Sequence, residues 1–411
     1  MTPADRAGSA VLEDDLLSPD VTRDPHPYFH RLRAEDPVHW NELWGGWVLT
    51  RYDDVLAAFR DPRFSSDRFT SYLHRRTDAN RSASNATFRM LSEWMVFRDP
   101  PDHTRLRLFV NKAFTPRVIE GLRPLIERTV DDLLTEVVAR DRCDLVWDFA
   151  YPLPAIVIAG MLGVVLEDCD RLKAWSDELA TIVHGALRAA DRHERAQQST
   201  REMAAHFHSL IHERRTAPHD DLISALIAAE HKGSLLSEDE IVATCILLLF
   251  AGHETTTNFI GNAVLALLQQ PERLAELRGQ PQIGVAAVDE LLRFDGPVKA
   301  TIRWATGDVE LRGRRIERGQ RILLVQSAAN RDPERFPEPD RLDFTRRDNQ
   351  HVAFGYGIHY CLGAPLARVE VQLALQDLLQ RFPKLRLHPD LELEWHPTAF
   401  ARGLKSLPVL I

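Results

Sequence analysis

From residue 117 to about 270, apolar positions recur every three or four residues. The stretches 118–134, 172–187 and 203–211 each gather them on one side of a helix. Ser237-Glu-Asp-Glu240 is a capping box, an N-cap serine answered three residues later by glutamate. The run 241–250 behind it has no polar face, which predicts a buried helix. Its pattern carries on to about Gln269, ahead of Pro271, long enough to cross a whole domain. The first hundred residues mix periods, with a strand expected at 47–51, a short helix at 53–60 and a turn at Asp61-Pro62. Residues 70–92 are polar and weakly patterned, which predicts a long loop or a short mobile helix of the kind that forms lids. Past Gly296 the pattern gives short strands at 300–305, 309–311 and 322–327. A glycine-rich loop at 354–363, a last helix at 364–382 and strands and turns from 391 complete it.

The expected fold class is therefore mainly α with smaller β regions. No repeat or flexible linker divides it, so one continuous domain over 1–411 is expected: a mixed part to about 100, a helical core at about 101–295 and a strand-rich part at about 296–411.

Composition narrows the function classes. Of 411 residues 44% are hydrophobic and 27% charged, enough apolar material for a large core. A net charge of -9 gives no overall basic field for nucleic acid. The four cysteines, Cys143, Cys169, Cys245 and Cys361, lie far apart with no C-x-x-C pair, as suits a reducing compartment. The polar N-terminus has no signal core, and the apolar runs 151–166 and 241–252 fall short of the roughly 20 residues a membrane span needs. The expectation is a soluble, cytoplasmic protein.

Four segments carry possible chemistry. In Phe354-Gly-Tyr-Gly-Ile-His-Tyr-Cys-Leu-Gly363, glycines allow tight turns around Cys361, and a helix starts just after it. Amide N–H groups and the helix N-terminus favour a thiolate there. That thiolate could be a nucleophile with His359 as its base, or a single axial ligand to haem iron; no second thiol lies near enough for zinc. Ala251-Gly-His-Glu-Thr255 interrupts the buried helix with polar groups, and H-E-x-x-H fails because position 257 is Thr. His103 and Arg107 stand four apart, on one helical face. Glu290 and Arg293 form an i,i+3 pair, by spacing alone an ordinary surface ion pair.

The cysteine segment resembles the haem loop of the cytochrome P450 family, F-G-x-G-x-H-x-C-x-G, at every fixed position from Phe354 to Gly363. The resemblance implies that family's fold, with haem between the long central helix and the cysteine loop. Cys361 would be the proximal iron ligand, framed by Phe354, Gly355 and Gly363. Ala251-Gly-His-Glu-Thr255 resembles the family's A-G-x-[DE]-T. Gly252 would let the helix open, Thr255 would hydrogen-bond dioxygen or an ordered water, and Glu254 would relay protons. His103, Arg107, Arg303 and His359 would hold the haem propionates. Glu290-Leu-Leu-Arg293 matches E-x-x-R, which implies a buried pair joined by Arg335 of Pro333-Glu-Arg-Phe336.

The activity so implied is a monooxygenase using haem b (iron protoporphyrin IX), with O2 as co-substrate. Electrons from NAD(P)H would arrive through a separate ferredoxin or flavodoxin and its reductase. Lys112, Arg346, Arg347 and Arg368 could form the docking patch, on a monomer. The substrate would be a mostly apolar small molecule, held by 70–95, 182–187, 246–255, 298–301 and Phe400. The alternatives are a P450 performing C–C coupling or desaturation, a non-catalytic haem sensor, and a cysteine hydrolase using Cys361 with His359.

Overall fold

The computed structural model describes residues 14–69, 81–138, 140, 142–165, 168–183, 192–231 and 234–411. The N-terminal part holds α1 (His26–Glu35), β1 (Val38–Asn41), β2 (Gly46–Leu49), α2 (Tyr52–Arg60) and β3 (Phe64–Ser65). Next come α3 (Arg81–Glu93), α4 (Asp102–Ala113), α5 (Pro116–Val138), β4 (Arg142–Asp144), α6 (Pro152–Leu162), α7 (Cys169–Val183) and α8 (Arg192–Thr216). The capping box opens α9 (Glu238–Leu268), with Ser237 accepting from the Glu240 amide and Glu240 accepting from that of Ser237. The chain ends through α10 (Val285–Asp295), β5 (Thr301–Ala305), β6 (Arg321–Leu324), α11 (Ala364–Arg381), β7 (Arg386–Leu387) and β8 (Pro408–Leu410).

The axis of the structure is α9. Nearly every residue from Ile241 to Leu267 is buried, because α6, α8, α10 and α11 all pack around it. Its lack of an apolar stripe is thus explained by neighbours on every side. The five-stranded sheet runs β1-β2-β6-β5-β3, with β2 and β6 parallel and the other pairs antiparallel. This order pairs Ser65 of β3 with Trp304 of β5, so the chain leaving β3 runs beside Arg303. A three-stranded sheet, β7-β8-β4, ties the C-terminal tail to the end of α5.

Two local expectations change. Part of the weakly patterned segment 70–92 forms α3; residues 70–80 lie outside the described residues. The expected strand 322–327 stops at Leu324, and Gln326–Ala329 turns helical. There the Gln326 amide donates to the Val352 carbonyl (3.0 Å) and the Asn330 side chain accepts from the Val352 amide (2.8 Å). These bonds hold the strand-rich part against the approach to the cysteine loop. No helix among the described residues is long and apolar enough to cross a membrane.

Candidate functional site

The cysteine loop is set by its backbone. Gly355 and Gly357 have φ of 71° and 73°, where a side chain would be strained. A Cβ on Gly357 would also sit 3.1 Å from the Phe59 carbonyl on α2. The Cys361 amide then donates to the Phe354 carbonyl (2.9 Å), closing the turn. Gly363 differs from expectation: its φ is -80°, and nothing stands within 4 Å of a Cβ there, so the turn itself does not require glycine. Burial pushes the Cys361 thiol up, opposed by the Gly363 and Ala364 amides and by Arg107 and Arg368. Those amides open α11, whose N-terminal dipole adds to the attraction for an anionic sulfur.

Four donors beside the loop, His103, His359, Arg107 and Arg303, form no ion pair with a carboxylate among the described residues, and the carboxylate acting on His103 and Arg303 is that of Asp99. His103, on α4, is 2% exposed, and neither ring nitrogen has a partner. Its ring lies 4.1 Å from that of His359, whose Nε2 is 3.0 Å from the Ser66 hydroxyl. Burial lowers His103 to about 4 and His359 to about 2, so both rings are neutral at pH 7. Arg303, on β5, donates to the Ile302 carbonyl (2.9 Å) and lies over the Phe59 ring; burial brings it down to about 10. Arg107, one turn past His103, bonds the Tyr360 carbonyl (2.8 Å) and Asn111 (3.1 Å). Residues from α4, β5 and the loop, spanning about 250 positions of the chain, thus converge on one patch suited to carboxylates.

The polar interruption of α9 is also its exposed point. Ala251 and Thr255 are exposed, although the helix around them is buried, and their spacing puts them on one face. The Thr255 hydroxyl donates to the Ala251 carbonyl (3.0 Å). Gly252 does not open the helix: α9 runs through it unbroken, and a Cβ there would meet Ile158 of α6 at 3.0 Å. Its glycine permits close packing of the two helices. Burial pushes the Glu254 carboxyl up to about 7.

Sequence reasoning missed Glu370. It is buried on α11, hydrogen-bonded by Thr256 across the α9–α11 contact, and burial raises it to about 8. A carboxylate flanked at i-4 and i+4 by Leu366 and Ala374 was the available signal.

Glu290 and Arg293 are a buried pair, their side chains 1% and 0% exposed. Arg293 spans the Glu290 carboxylate (2.7 and 2.8 Å) and the carbonyls of Asn330, Pro339 and Arg341. The third member is not Arg335, which pairs with Asp348 at 2.7 Å beside the Tyr52 and Phe336 rings. Arg346 takes that place, its Nε 3.3 Å from the Glu290 carboxylate. This also corrects the docking patch. Arg346 is buried, and Arg368 is held by Asp289 (2.7 Å) and lies over Phe354, which leaves Lys112 and Arg347 exposed.

Comparison with known proteins matches this geometry. The family model described as Cytochrome P450 matches residues 70–280 and 284–396. The chain is 40% identical to cytochrome P450 CYP107DY1 of Priestia megaterium, over 97% of this chain and 99% of the relative. It is 42% identical to the vitamin D(3) 25-hydroxylase of Pseudonocardia autotrophica, over 97% and 96%. A solved structure of P450BioI with hexadec-9Z-enoic acid-ligated acyl carrier protein superposes with a TM-score of 0.87 at 36% identity, covering 96% of this chain and all of that one. With the cysteine loop, the central helix and the buried Glu290–Arg293 pair in that arrangement, the chain belongs to the cytochrome P450 family.

Proposed function

We propose that the protein is a haem-thiolate monooxygenase that holds iron protoporphyrin IX between α9 and the Cys361 loop and oxidises a mostly apolar small organic molecule. The observation that carries this reading is the set of donors around Cys361: His103 with both nitrogens unpartnered, and His359, Arg107 and Arg303 with no carboxylate ion pair among the described residues. A buried cation without a counter-charge is costly, and the two propionates of a porphyrin supply what these residues lack. Gly363 adds to the fit, since the open Cβ position beside Cys361 leaves room for a flat group against the sulfur.

When bound, the haem supplies dioxygen activation, using two electrons that originate in NAD(P)H and arrive through a ferredoxin or flavodoxin with its reductase. The protein's own residues do the rest. Cys361 would provide an electron-rich sulfur ligand, with the Gly363 and Ala364 amides favouring its anionic form against the burial that pushes the thiol up. Thr255 presents its hydroxyl on the exposed face of α9, able to release the Ala251 carbonyl and bond a water or dioxygen. Glu254, held near 7, both takes and gives a proton at neutral pH, as a relay group requires. That proton path favours an oxygenase over a sensor, which has no use for one.

The test is spectroscopic. The reduced, CO-treated protein should show the red-shifted band of thiolate ligation, and Cys361→Ser should abolish it. An unpigmented protein, or an unchanged band in the variant, would overturn the reading. Thr255→Ala should keep haem and substrate binding while diverting reducing equivalents to peroxide. Unchanged yield of product per NAD(P)H would remove Thr255 from the proton path.

A further inference from the structure

Arg68 follows β3 by three residues and belongs to none of the donor sets above. Its guanidinium lies 4.1 Å over the Phe97 ring and 5.1 Å from that of Phe69. One Nη donates to the carbonyl of Val183 at the end of α7 (3.3 Å), and the buried Nε has no acceptor. Among the described residues no carboxylate pairs with it, and the charged group that most affects it is another cation, Arg303. Stacking on aromatic faces returns less than an uncompensated interior charge costs. Among the described residues, this guanidinium has no anionic partner.

The surroundings indicate what an anionic partner would be attached to. Phe69 packs edge-on to Phe97 (4.9 Å), Phe97 stacks on Trp94 (5.8 Å), and Trp94 meets Phe250 (5.3 Å). Phe250 immediately precedes Ala251, on whose face Thr255 stands. A chain of packed rings thus connects the cation to the segment of α9 that carries Thr255. His103, His359, Arg107 and Arg303 already provide four donors for two porphyrin carboxylates, and Arg68 is surplus to them.

We propose that Arg68 selects substrates bearing a carboxylate: an amphiphilic organic acid whose anionic end binds this guanidinium and whose apolar body lies along Phe97, Trp94 and Phe250 toward Thr255. The proposal rests on the monooxygenase reading, which places the reacting centre beside Thr255. It makes Arg68 a specificity residue.

The test compares matched pairs on the haem-loaded full chain. Straight-chain and aryl-alkanoic acids and their methyl esters are titrated at pH 7.5, and Kd is read from the shift of the ferric spectrum toward high spin. At least one acid should bind about tenfold or more tighter than its ester, the worth of one charge-assisted pair. Arg68→Gln should bring that ratio to near one with haem content and the reduced-CO band unchanged, and Arg68→Lys should keep part of it. Esters binding as well as acids throughout, or no acid shifting the spectrum, would overturn the proposal on the unaltered protein alone. A preference that survives in Arg68→Gln would also overturn it, and haem loss in that variant would then assign the arginine to the porphyrin. Failure of the unaltered protein to bind haem is a different result, and counts against the monooxygenase reading.

Discussion

Arg293 and Arg68 are both interior arginines, and their surroundings are opposites. Arg293 is saturated: a carboxylate and three main-chain carbonyls take its donors. Arg68 has one carbonyl and two ring faces. The contrast extends to their regions. On the Arg293 side, Glu290, Arg346, Asn330 and Gln326 close their own hydrogen bonds and fix the approach to the Cys361 loop. On the other side, His103, Arg303, Arg68 and Lys299 form no ion pair with a carboxylate among the described residues, although Asp99 lies near His103 and Arg303 and Asp295 near Lys299. The first region is completed by folding alone. The second is completed by what binds, so an unpaired interior cation is there a description of the ligand.

The largest effect expected from this contrast lies at Glu290. Glu290→Ala leaves Arg293 and Arg346 buried without their carboxylate and should cost about 3–5 kcal/mol of stability by denaturant unfolding. A loss below 1 kcal/mol would mean that the pair does not hold this region together.

A smaller, pH-dependent effect is expected at Lys299, which is 3% exposed, with the neighbouring Asp295 carboxylate taken by Arg402 at 2.6 Å. Burial first, then Arg402, lowers it from 10.5 to about 7. Between those values the unfolded chain holds the proton and the folded chain does not, so stability rises with pH across that window. Below about pH 7 both states are protonated and the burial penalty is fully present. Lys299→Met should therefore raise the Tm most below pH 7, and the gain should shrink toward pH 10.5, by at most about 1.4 kcal/mol per pH unit. Parallel Tm profiles for the two proteins would contradict this.

The smallest effect should come at Arg335, the residue that sequence resemblance joined to Glu290. Its ion pair with Asp348 is solvent-facing, so Arg335→Ala should cost no more than about 1 kcal/mol in the same unfolding experiment. A loss as large as that of Glu290→Ala would restore Arg335 to the buried group.

Much of the helical core was legible because its signals are local. The capping box at Ser237 and the unbroken apolar run located α9 to within a residue or two. The segment 70–92 was less so. Its α3 portion forms against α8 and α9, and polar sequence with weak periodicity carries no record of such contacts. Gly252 shows the same limit: the motif suggested an opened helix, and the close approach of Ile158 explains the glycine by packing instead.

Sequence alone determined the chemistry of the loop: a cysteine among glycines whose positive φ values any chain would need to make that turn. It also determined the polar break at 251–255, since polar groups within a buried helix stand out in one dimension. Tertiary structure decided the partners. That Arg346 and not Arg335 reaches Glu290, that Glu370 meets Thr256, and that Arg68 meets no carboxylate among the described residues are facts of distance between segments far apart in the chain. Side-chain charge can be read along a sequence, but whether it is paired depends on which remote groups folding brings within a few ångströms.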